Sequence, residues 1–282
     1  MSGPFRRYAP HPADPARPVT YRVAVVHGGP GAPGSVAAVA QELGHDYGVL
    51  EPLQTADTID GQAAELRATL IASANPPLTL IGWSWGAWLS LITAARFPAL
   101  VRQVILVSSG PFRAEDAASI MPTRLSRLTD EERAEVDALL AALTAPDADV
   151  PAGALDRFGA LLKAKTDSYD LLPDEPNDLP AQPDVHQRMW DEASTLRASG
   201  GLLAQVSRVQ CPVLAIHGDH DPHPAAGVRE PLAAVLGDFR FVLLERCGHY
   251  PWQERAARDV FFALVRQAIG TPGGSRPAQN PR

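Results

Sequence analysis

Short apolar runs alternate with segments of helical periodicity over most of the chain. Runs typical of buried strands cover residues 21–27, 47–53, 101–108, 212–217 and 239–244, and another opens the stretch 78–86. Segments with apolar residues at helical spacing follow at 35–43, 59–74, 85–97, 225–236 and 253–269. Strands that alternate with amphipathic helices in this way predict an α/β fold, in which a mostly parallel sheet is flanked by helices on both faces.

This alternation is interrupted between residues 110 and 209, where helical patterns are separated by proline-rich stretches. A capping box from Thr129 to Glu132 precedes apolar residues at helical spacing. Two more helices are predicted near 155–162 and 185–196, with an acidic, proline-rich loop at 167–183 between them. We therefore predict a core formed by residues 21–110 and 210–270, and an inserted helical cap at 111–209.

The two ends of the chain lack this periodicity. Residues 1–20 are rich in Pro and Arg, and residues 271–282 are Gly, Pro and polar. Segments of this composition bury too little apolar surface to offset the entropy lost on folding. We therefore expect a mobile lead-in and a mobile tail.

Composition and charge indicate which kinds of molecule the protein binds. A net charge of -7 disfavours binding to nucleic acid or an anionic membrane, because such surfaces need clustered Lys and Arg. No apolar run reaches the roughly 18 residues of a membrane-spanning helix, and the first ten residues lack the apolar stretch of a secretory signal. We therefore expect a cytoplasmic protein that acts on a small molecule, with no disulfide between Cys211 and Cys247.

The stretch 78–86, which reads LTLIGWSWG, carries the first chemical signal. Gly82 and Gly86 flank Ser84 at the point where an apolar run passes directly into a helical segment. A serine on a sharp strand-to-helix turn needs glycine on both sides so that strand and helix can approach closely. Free amides and the dipole of the following helix then favour a developing negative charge. The pattern predicts a nucleophile elbow at Ser84, and a plain glycine turn is the alternative.

Two segments that follow predicted strands hold the partners that a catalytic serine requires, a histidine base and a carboxylate that orients it. They are 217–222, which reads HGDHDP, and 247–252, which reads CGHYPW. Residues just after parallel strands can converge, because the ligand crevice lies outside the carboxyl ends of the strands. The chain order Ser84, Asp221, His249 is the order that an elbow-type hydrolase uses.

These motifs resemble those of the α/β-hydrolase fold, and the resemblance covers nearly the whole chain between its two ends. The HGGPG sequence at 27–31, together with SWG at 84–86, is most similar to the proline iminopeptidase branch. The resemblance assigns the acid of a His-Gly-x-x-Asp pattern to Asp221 rather than to Asp219. It assigns the base of a Gly-His pattern near the end of the chain to His249.

The same resemblance implies an oxyanion hole formed by the backbone amides of Gly29 and Trp85. Two features differ from the iminopeptidases. The N-terminal antiparallel hairpin has little room in residues 1–20, and Trp83 stands where those enzymes usually have glycine. Trp83 and Trp252 are candidate substrate-binding residues of an aromatic pocket, and packing of the core is the alternative interpretation.

Parts of the sequence also fit two other kinds of site. The glycines of 29–34 have the G-x-G-x-x-G spacing of a dinucleotide fold, and Glu51 closes the next strand. Pro30 and Pro33, however, remove amide donors that a pyrophosphate would need. The histidines and aspartates of 217–223 could form a metal site, although no complete ligand set with a recognised spacing is present.

We therefore predict a serine hydrolase that cleaves an ester or amide bond of a small, partly apolar substrate through an acyl-enzyme, without cofactor or metal. The iminopeptidase resemblance adds a sharper hypothesis, in which acids between Asp167 and Asp178 bind a free N-terminal amine. A carbon–carbon bond hydrolase, a lyase and a ligand receptor without catalysis are further alternatives on the same fold.

Overall fold

A seven-stranded sheet forms the centre of the molecule. The computed structural model describes residues 3–10, 18–144, 153–173 and 179–270. Within them the strand order is β1-β3-β2-β4-β5-β6-β7, and only the β1 and β3 pair is antiparallel. The strands are β1 (Phe5–Tyr8), β2 (Tyr21–Val26), β3 (Gly48–Pro52), β4 (Leu78–Trp83), β5 (Val101–Val107), β6 (Val213–Gly218) and β7 (Phe239–Leu244).

Helices pack against both faces of this sheet. The described α-helices are α1 (Ala37–Gly44), α2 (Ile59–Ser73), α3 (Trp85–Arg96), α4 (Ala114–Ala117), α5 (Ile120–Leu125), α6 (Asp130–Thr144), α7 (Ala154–Lys165), α8 (Pro183–Ala198), α9 (Gly201–Val206), α10 (Ala226–Val235) and α11 (Arg258–Gly270). Of these, α5, α6 and α7 form a separate apolar cluster. Ala24 and Val26 pack into one core with α2, α3 and α10, whereas Val23 and Val25 pack into the other with α1 and α11. Burial on both faces explains the apolar strand sequences and confirms the predicted layered fold.

Strand β1 lies where we predicted only an irregular lead-in, so that prediction is wrong for Phe5–Tyr8. The strand pairs with β3, and its side chains strengthen the pairing. The Tyr8 hydroxyl donates to the Glu51 carboxylate at 2.8 Å, and the Arg6 guanidinium lies 3.7 Å from the same oxygen. Burial and the Glu51 charge raise the pKa of Tyr8 to about 12. A residue 43 positions away in the sequence thus holds this edge strand.

The regular structure described between β5 and β6 is helical, apart from a single bridge between Leu171 and Glu254. Helix α6 begins with the predicted capping box. The Thr129 amide donates to the Glu132 carboxylate at 3.0 Å, and the Glu132 amide donates to the Thr129 hydroxyl at 3.2 Å. Helices α7 and α8 lie where two more were predicted, whereas α4, α5 and α9 were not predicted. Part of the acidic loop, 174–178, and the tail, 271–282, lie outside the described residues.

The two cysteines are free thiols. Cys211 precedes β6 and Cys247 follows β7, so they lie toward opposite ends of these parallel strands. Burial raises the pKa of Cys211 to about 11 and also raises the pKa of Cys247. A protonated thiol is a weak nucleophile, so neither cysteine is a candidate nucleophile. Among the described helices, none has the length and apolar character needed to cross a membrane.

Candidate active site

Ser84 lies in the sharp turn between β4 and α3. Its backbone angles, φ 53° and ψ -114°, fall in a region that residues other than glycine rarely adopt. The flanking glycines make this turn possible. A Cβ on Gly82 would collide with the carbonyl oxygen of Gly86, and a Cβ on Gly86 would collide with that of Val26. The close approach of strand and helix is the one that a nucleophile elbow requires.

Asp221 and His249 meet beyond the carboxyl ends of β6 and β7. Nδ1 of His249 lies 2.8 Å from Oδ2 of Asp221, and the two side chains are 5% and 0% exposed. Because the carboxylate accepts, Nδ1 carries the proton and Nε2 is left as the basic nitrogen. Trp83, the residue before Ser84, donates its indole N–H to the His249 carbonyl at 2.9 Å. The structure therefore joins the acid, the histidine and the elbow strand.

Two more histidines surround the Asp221 carboxylate, and the sequence analysis gave them no role in the triad. Nδ1 and the backbone amide of His223 lie 2.8 and 2.9 Å from Oδ1 of Asp221. The His223 ring also stacks on His249, with centroids 4.5 Å apart. Nε2 of His217 donates to the His223 carbonyl at 2.8 Å and lies 3.6 Å from Oδ2 of Asp221. In the sequence, the only indication of these contacts is the position of the two histidines, four residues before and two residues after Asp221.

Asp221 is ionised despite its burial. Burial alone raises its pKa, but interactions with His249, His223 and His217, which include the hydrogen bond from His223, outweigh burial and hold the pKa well below its ordinary value. His223 is neutral near neutral pH, because burial lowers its pKa to about 4. A fixed negative charge beside His249 favours the imidazolium that general-base catalysis produces.

Asp219, the neighbouring acid, has a different place in the fold. Its side chain is exposed, and one carboxylate oxygen accepts the backbone amide of Cys247 at 3.1 Å. This bond ties the turn after β6 to the turn after β7. The structure therefore brings Asp221, and not Asp219, to Nδ1 of His249.

Both candidate substrate-binding tryptophans are core residues. Trp83 and Trp252 are 7% and 3% exposed and meet edge to face, with ring centroids 5.3 Å apart. Trp83 also contacts the His249 ring at 5.2 Å, and Trp252 packs on Phe261 of α11. The structure therefore supports the packing interpretation for both rings, and their substrate-binding role stays a prediction.

The loop that starts at His27 lies against the elbow and carries the predicted oxyanion amide of Gly29. A Cβ on Gly86 would lie 2.6 Å from the His27 carbonyl oxygen, so loop and helix are in close contact. Gly29 has a φ of 111°, which favours glycine. Trp85 is the first residue of α3, so its amide has no acceptor within the helix and can face a substrate oxygen. The assignment of these two amides to an oxyanion hole stays a prediction.

His27 holds this loop as a neutral ring. Burial lowers its pKa to about 4. Nδ1 donates to the Gly28 carbonyl at 2.8 Å, and Nε2 accepts from the Gln54 amide at 3.3 Å. Because both ring nitrogens are used within the fold, His27 is a structural residue.

The segment 166–172, which follows α7, packs on the loop that carries His249. The His249 amide donates to the Asp167 carbonyl at 2.6 Å. The Asp167 carboxylate accepts two bonds from the Arg124 guanidinium, at 2.8 and 2.6 Å, and is 4% exposed. Burial lowers the pKa of Arg124, but Asp167 more than offsets this and raises it. A bidentate Arg124–Asp167 pair therefore joins α5 to the segment that packs on the histidine loop.

Glu254 ties the same two segments together, and the sequence analysis did not identify it. Its buried carboxylate accepts the backbone amides of Tyr169, Asp170 and Gly248 at 2.8, 2.7 and 2.9 Å. Three charge-assisted hydrogen bonds offset the cost of burying this charge. A Cβ on Gly248 would collide with the Asp167 carbonyl oxygen, so the two segments also approach too closely for a side chain there.

The structure also provides evidence on the metal site and the dinucleotide site that parts of the sequence fit. Among the described residues, Asp221, His223 and His249 form the group whose ligand atoms could hold a metal ion, since these atoms lie within 4.8 Å of one another. In the structure both histidines direct Nδ1 to the carboxylate, and for His249 this is the contact that a serine triad requires. Glu51, the acid that a dinucleotide fold would offer to a ribose, is fully buried and bonded to Tyr8. It is therefore not available to a nucleotide.

A parallel sheet that holds a strained serine after one strand and an Asp–His pair after two others defines an elbow-type hydrolase. A family model described as "Alpha/beta hydrolase family" matches residues 12–263. The chain belongs to this family and is an enzyme.

Individual relatives agree with this assignment. The pimeloyl-[acyl-carrier protein] methyl ester esterase of Neisseria meningitidis serogroup B is 28% identical over 248 residues, which cover 83% of this chain and 81% of the relative. The crystal structure of VinJ matches with a TM-score of 0.67 and 17% identity, over 94% of this chain and 93% of that one. The proline iminopeptidase of Mycobacterium smegmatis matches with a TM-score of 0.60 and 20% identity over the same shares. These structures confirm the fold.

Proposed function

We propose that this protein is a serine hydrolase that cleaves an ester or amide bond of a small, partly apolar substrate through Ser84, His249 and Asp221. The strained serine at the elbow, together with the 2.8 Å bond between His249 and Asp221, carries the proposal. The Neisseria relative is an esterase by name, which supports esters as the first substrates to test.

In the proposed reaction, Nε2 of His249 takes the hydroxyl proton while Oγ of Ser84 attacks the substrate carbonyl carbon. The amides of Gly29 and Trp85 donate to the tetrahedral oxygen. The imidazolium then protonates the leaving group, and an acyl-serine ester forms. Water, deprotonated by His249, attacks this ester, and the imidazolium then returns the proton to Oγ of Ser84 as the acid is released. Asp221 stays ionised and stabilises the imidazolium in both half-reactions.

Contacts of helix α8 support a small substrate. The Gln182 amide, just before this helix, donates to the Gly31 carbonyl at 2.8 Å. Nδ1 of His186 lies 3.0 Å from the Pro30 carbonyl oxygen. A helix that touches the oxyanion loop restricts the approach of long polymers and helps to exclude water from the reacting carbonyl.

The aminopeptidase alternative needs a carboxylate that can bind a free amine. Asp167 is already bound to Arg124, and Asp170 pairs with Arg255 at 3.2 Å. The acids of 174–178 lie outside the described residues. The described contacts therefore favour a simple ester substrate over an aminoacyl amide.

Labelling with a fluorophosphonate, which modifies activated serines, tests the nucleophile. The wild type should take up one equivalent. Ser84→Ala should take up none and should lose at least about four orders of magnitude in kcat, because the covalent step is removed. Ser119→Ala, at an exposed cap serine, is the matched control and should behave as the wild type. Labelling of folded Ser84→Ala at the wild-type rate would show that another residue is the nucleophile.

The substrate class is tested with p-nitrophenyl butyrate beside the p-nitroanilides of alanine and proline, each free and N-acetylated. Turnover of the ester, with little preference for a free amine, is expected. Turnover of the free aminoacyl anilides alone would establish the aminopeptidase, since an amine site loses its ligand on acetylation. Labelling of Ser84 without turnover of any of them would favour carbon–carbon bond hydrolysis or a lyase.

A further inference from the structure

His223 contacts both members of the Asp221–His249 pair, yet it has no step of its own in the proposed reaction. Its Nδ1 and its backbone amide lie 2.8 and 2.9 Å from Oδ1 of Asp221. Oδ2 of the same carboxylate accepts from Nδ1 of His249 at 2.8 Å. The carboxylate is therefore held at both oxygens, and the two bonds to Oδ1 fix the direction in which Oδ2 points.

The His223 ring also packs on the His249 ring. The two rings are stacked, with centroids 4.5 Å apart and an angle of 24° between their planes. Trp83 and Tyr250 contact His249 at centroid distances of 5.2 and 5.4 Å, but their rings are inclined to it by 52° and 89°. Of these three neighbours, His223 is the one that lies nearly parallel to the imidazole, so it restricts tilting of the His249 ring.

Strand β6 holds His223 in this place. Nε2 of His217, a buried residue of that strand, donates to the His223 carbonyl at 2.8 Å. The backbone amide of His223 is fixed at the same time by its bond to Asp221. Because both backbone polar groups of His223 are bonded, its ring is directed at the carboxylate by the fold itself and not by a substrate.

His223 also has the protonation state that this contact needs. Burial lowers its pKa to about 4, so the ring is neutral near neutral pH. Since a carboxylate only accepts, the single proton of the neutral ring lies on Nδ1. A neutral donor orients the carboxylate without cancelling its charge, which stays available to the imidazolium that forms on His249.

We propose that His223 is a positioning residue for hydrolysis, in which its Nδ1–H fixes the Asp221 carboxylate so that Oδ2 holds the His249 ring in its productive orientation. The inference rests on the proposed function, because that function makes His249 the base. Orientation of a base acts on the transition state and not on substrate binding. Loss of the His223 donor should therefore lower kcat and leave KM nearly unchanged.

Three substitutions separate the hydrogen bond from the ring. His223→Asn keeps an N–H donor near the position of Nδ1 but loses the ring. His223→Phe keeps a ring that can stack but loses the donor, and His223→Leu loses both. With p-nitrophenyl butyrate, kcat should fall by about ten- to hundredfold in His223→Phe and His223→Leu, the range for a hydrogen bond to a charged group. Their KM should stay within about twofold of the wild type.

The donor that asparagine retains should rescue the reaction. In His223→Asn, kcat should stay within about threefold of the wild type, because the bond to Asp221 is kept. His45→Phe, at an exposed histidine just after α1, is the matched control and should behave as the wild type. Circular dichroism and the Tm show whether each variant folds.

Proton NMR of the full chain reports the positioning without turnover. The Nδ1 proton of His249, in its bond to a carboxylate, gives a resonance far downfield of the amide protons, which His249→Gln identifies by its loss. The resonance should stay sharp in the wild type and in His223→Asn. It should broaden or disappear in folded His223→Phe and His223→Leu, because a carboxylate that is free to rotate lets water exchange with this proton.

Fluorophosphonate labelling separates failure of this inference from failure of the proposed function. Labelling of the wild type at Ser84, together with kcat and the NMR resonance unchanged in His223→Phe, would overturn the role of His223 alone. Equal losses of kcat in His223→Asn and His223→Phe would overturn it too, since the donor would not be the cause. A wild type that is neither labelled nor active on the ester would overturn the proposed function and this inference with it.

Discussion

Asparagine in place of Asp221 should inactivate the enzyme through the orientation of the new amide. Oδ1 of Asp221 accepts two bonds from His223, whereas Oδ2 accepts one bond from His249. Asparagine has one oxygen and one NH₂ group. With its oxygen toward His223 it keeps two bonds, and in the opposite orientation it keeps one. A hydrogen bond contributes about 1 kcal/mol, so the first orientation is favoured by about fivefold.

In that orientation the NH₂ group faces Nδ1 of His249. Nδ1 must then accept, the ring proton moves to Nε2, and the nitrogen that takes the Ser84 proton in the proposed reaction is no longer a base. The fixed charge that stabilised the imidazolium is lost as well. In the best-studied serine protease triad the equivalent change lowers kcat by about ten-thousandfold, and we expect a similar loss in Asp221→Asn.

Asp219→Asn is the matched control. Its oxygen can still accept the Cys247 amide, so kcat/KM should change by no more than about threefold, as for most exposed substitutions. The assays are hydrolysis of p-nitrophenyl butyrate and the rate of fluorophosphonate labelling, with circular dichroism to show that both variants fold. A larger loss in Asp219→Asn, or less than a tenfold loss in folded Asp221→Asn, would refute the assignment of the acid.

Three further predictions concern stability. Ser84→Gly should abolish hydrolysis yet raise the free energy of unfolding by about 1 kcal/mol in urea, since relief of backbone strain exceeds the entropy cost of glycine; an unchanged or lower value would contradict the strain. Arg124→Met should lower the free energy of unfolding by about 3–5 kcal/mol, because it leaves the Asp167 carboxylate buried without its cationic partner. The double variant with Asp167→Leu should recover most of this loss, and no recovery would contradict a buried pair. Stability should fall as pH decreases from about 6.5 to about 4, because His27 and His223 stay neutral when folded while unfolded histidines bind protons. Each contributes a loss of about 3 kcal/mol, so His27→Gln and His223→Gln should each flatten the pH profile, and an unchanged profile would contradict buried neutral rings.

Features whose determinants lie within a few residues could be predicted from the sequence. The apolar runs predicted the six strands β2 to β7, and the capping box at Thr129 and Glu132 predicted the start of α6. The glycines around Ser84 predicted the elbow, because the steric demand of the turn acts on neighbours two positions away. The chain order of acid and histidine then indicated the family that the comparisons confirm.

Features that depend on distant segments could not be predicted in this way. Strand β1 could not be predicted because it pairs with β3, a distant part of the chain. The Glu51 carboxylate of β3, which binds the Tyr8 hydroxyl of β1, lies 43 positions away in the sequence. From the sequence, Trp83 and Trp252 could line a pocket or fill the core, and the tertiary contacts favour the core because the rings meet each other and the histidine loop.

The surroundings of the proposed triad also depend on tertiary contacts. The role of His223 depends on a turn that aims both its amide and its ring at Asp221, and residue spacing does not specify such a turn. The carboxylates of Asp167 and Glu254 are held in the fold because Arg124 and the backbone amides near 169 and 248 reach them across long stretches of chain. The burial of these side chains and the geometry of their hydrogen bonds arise only when distant stretches of the chain pack together. The periodicity of a strand or a helix, by contrast, depends on residues that are neighbours in the sequence.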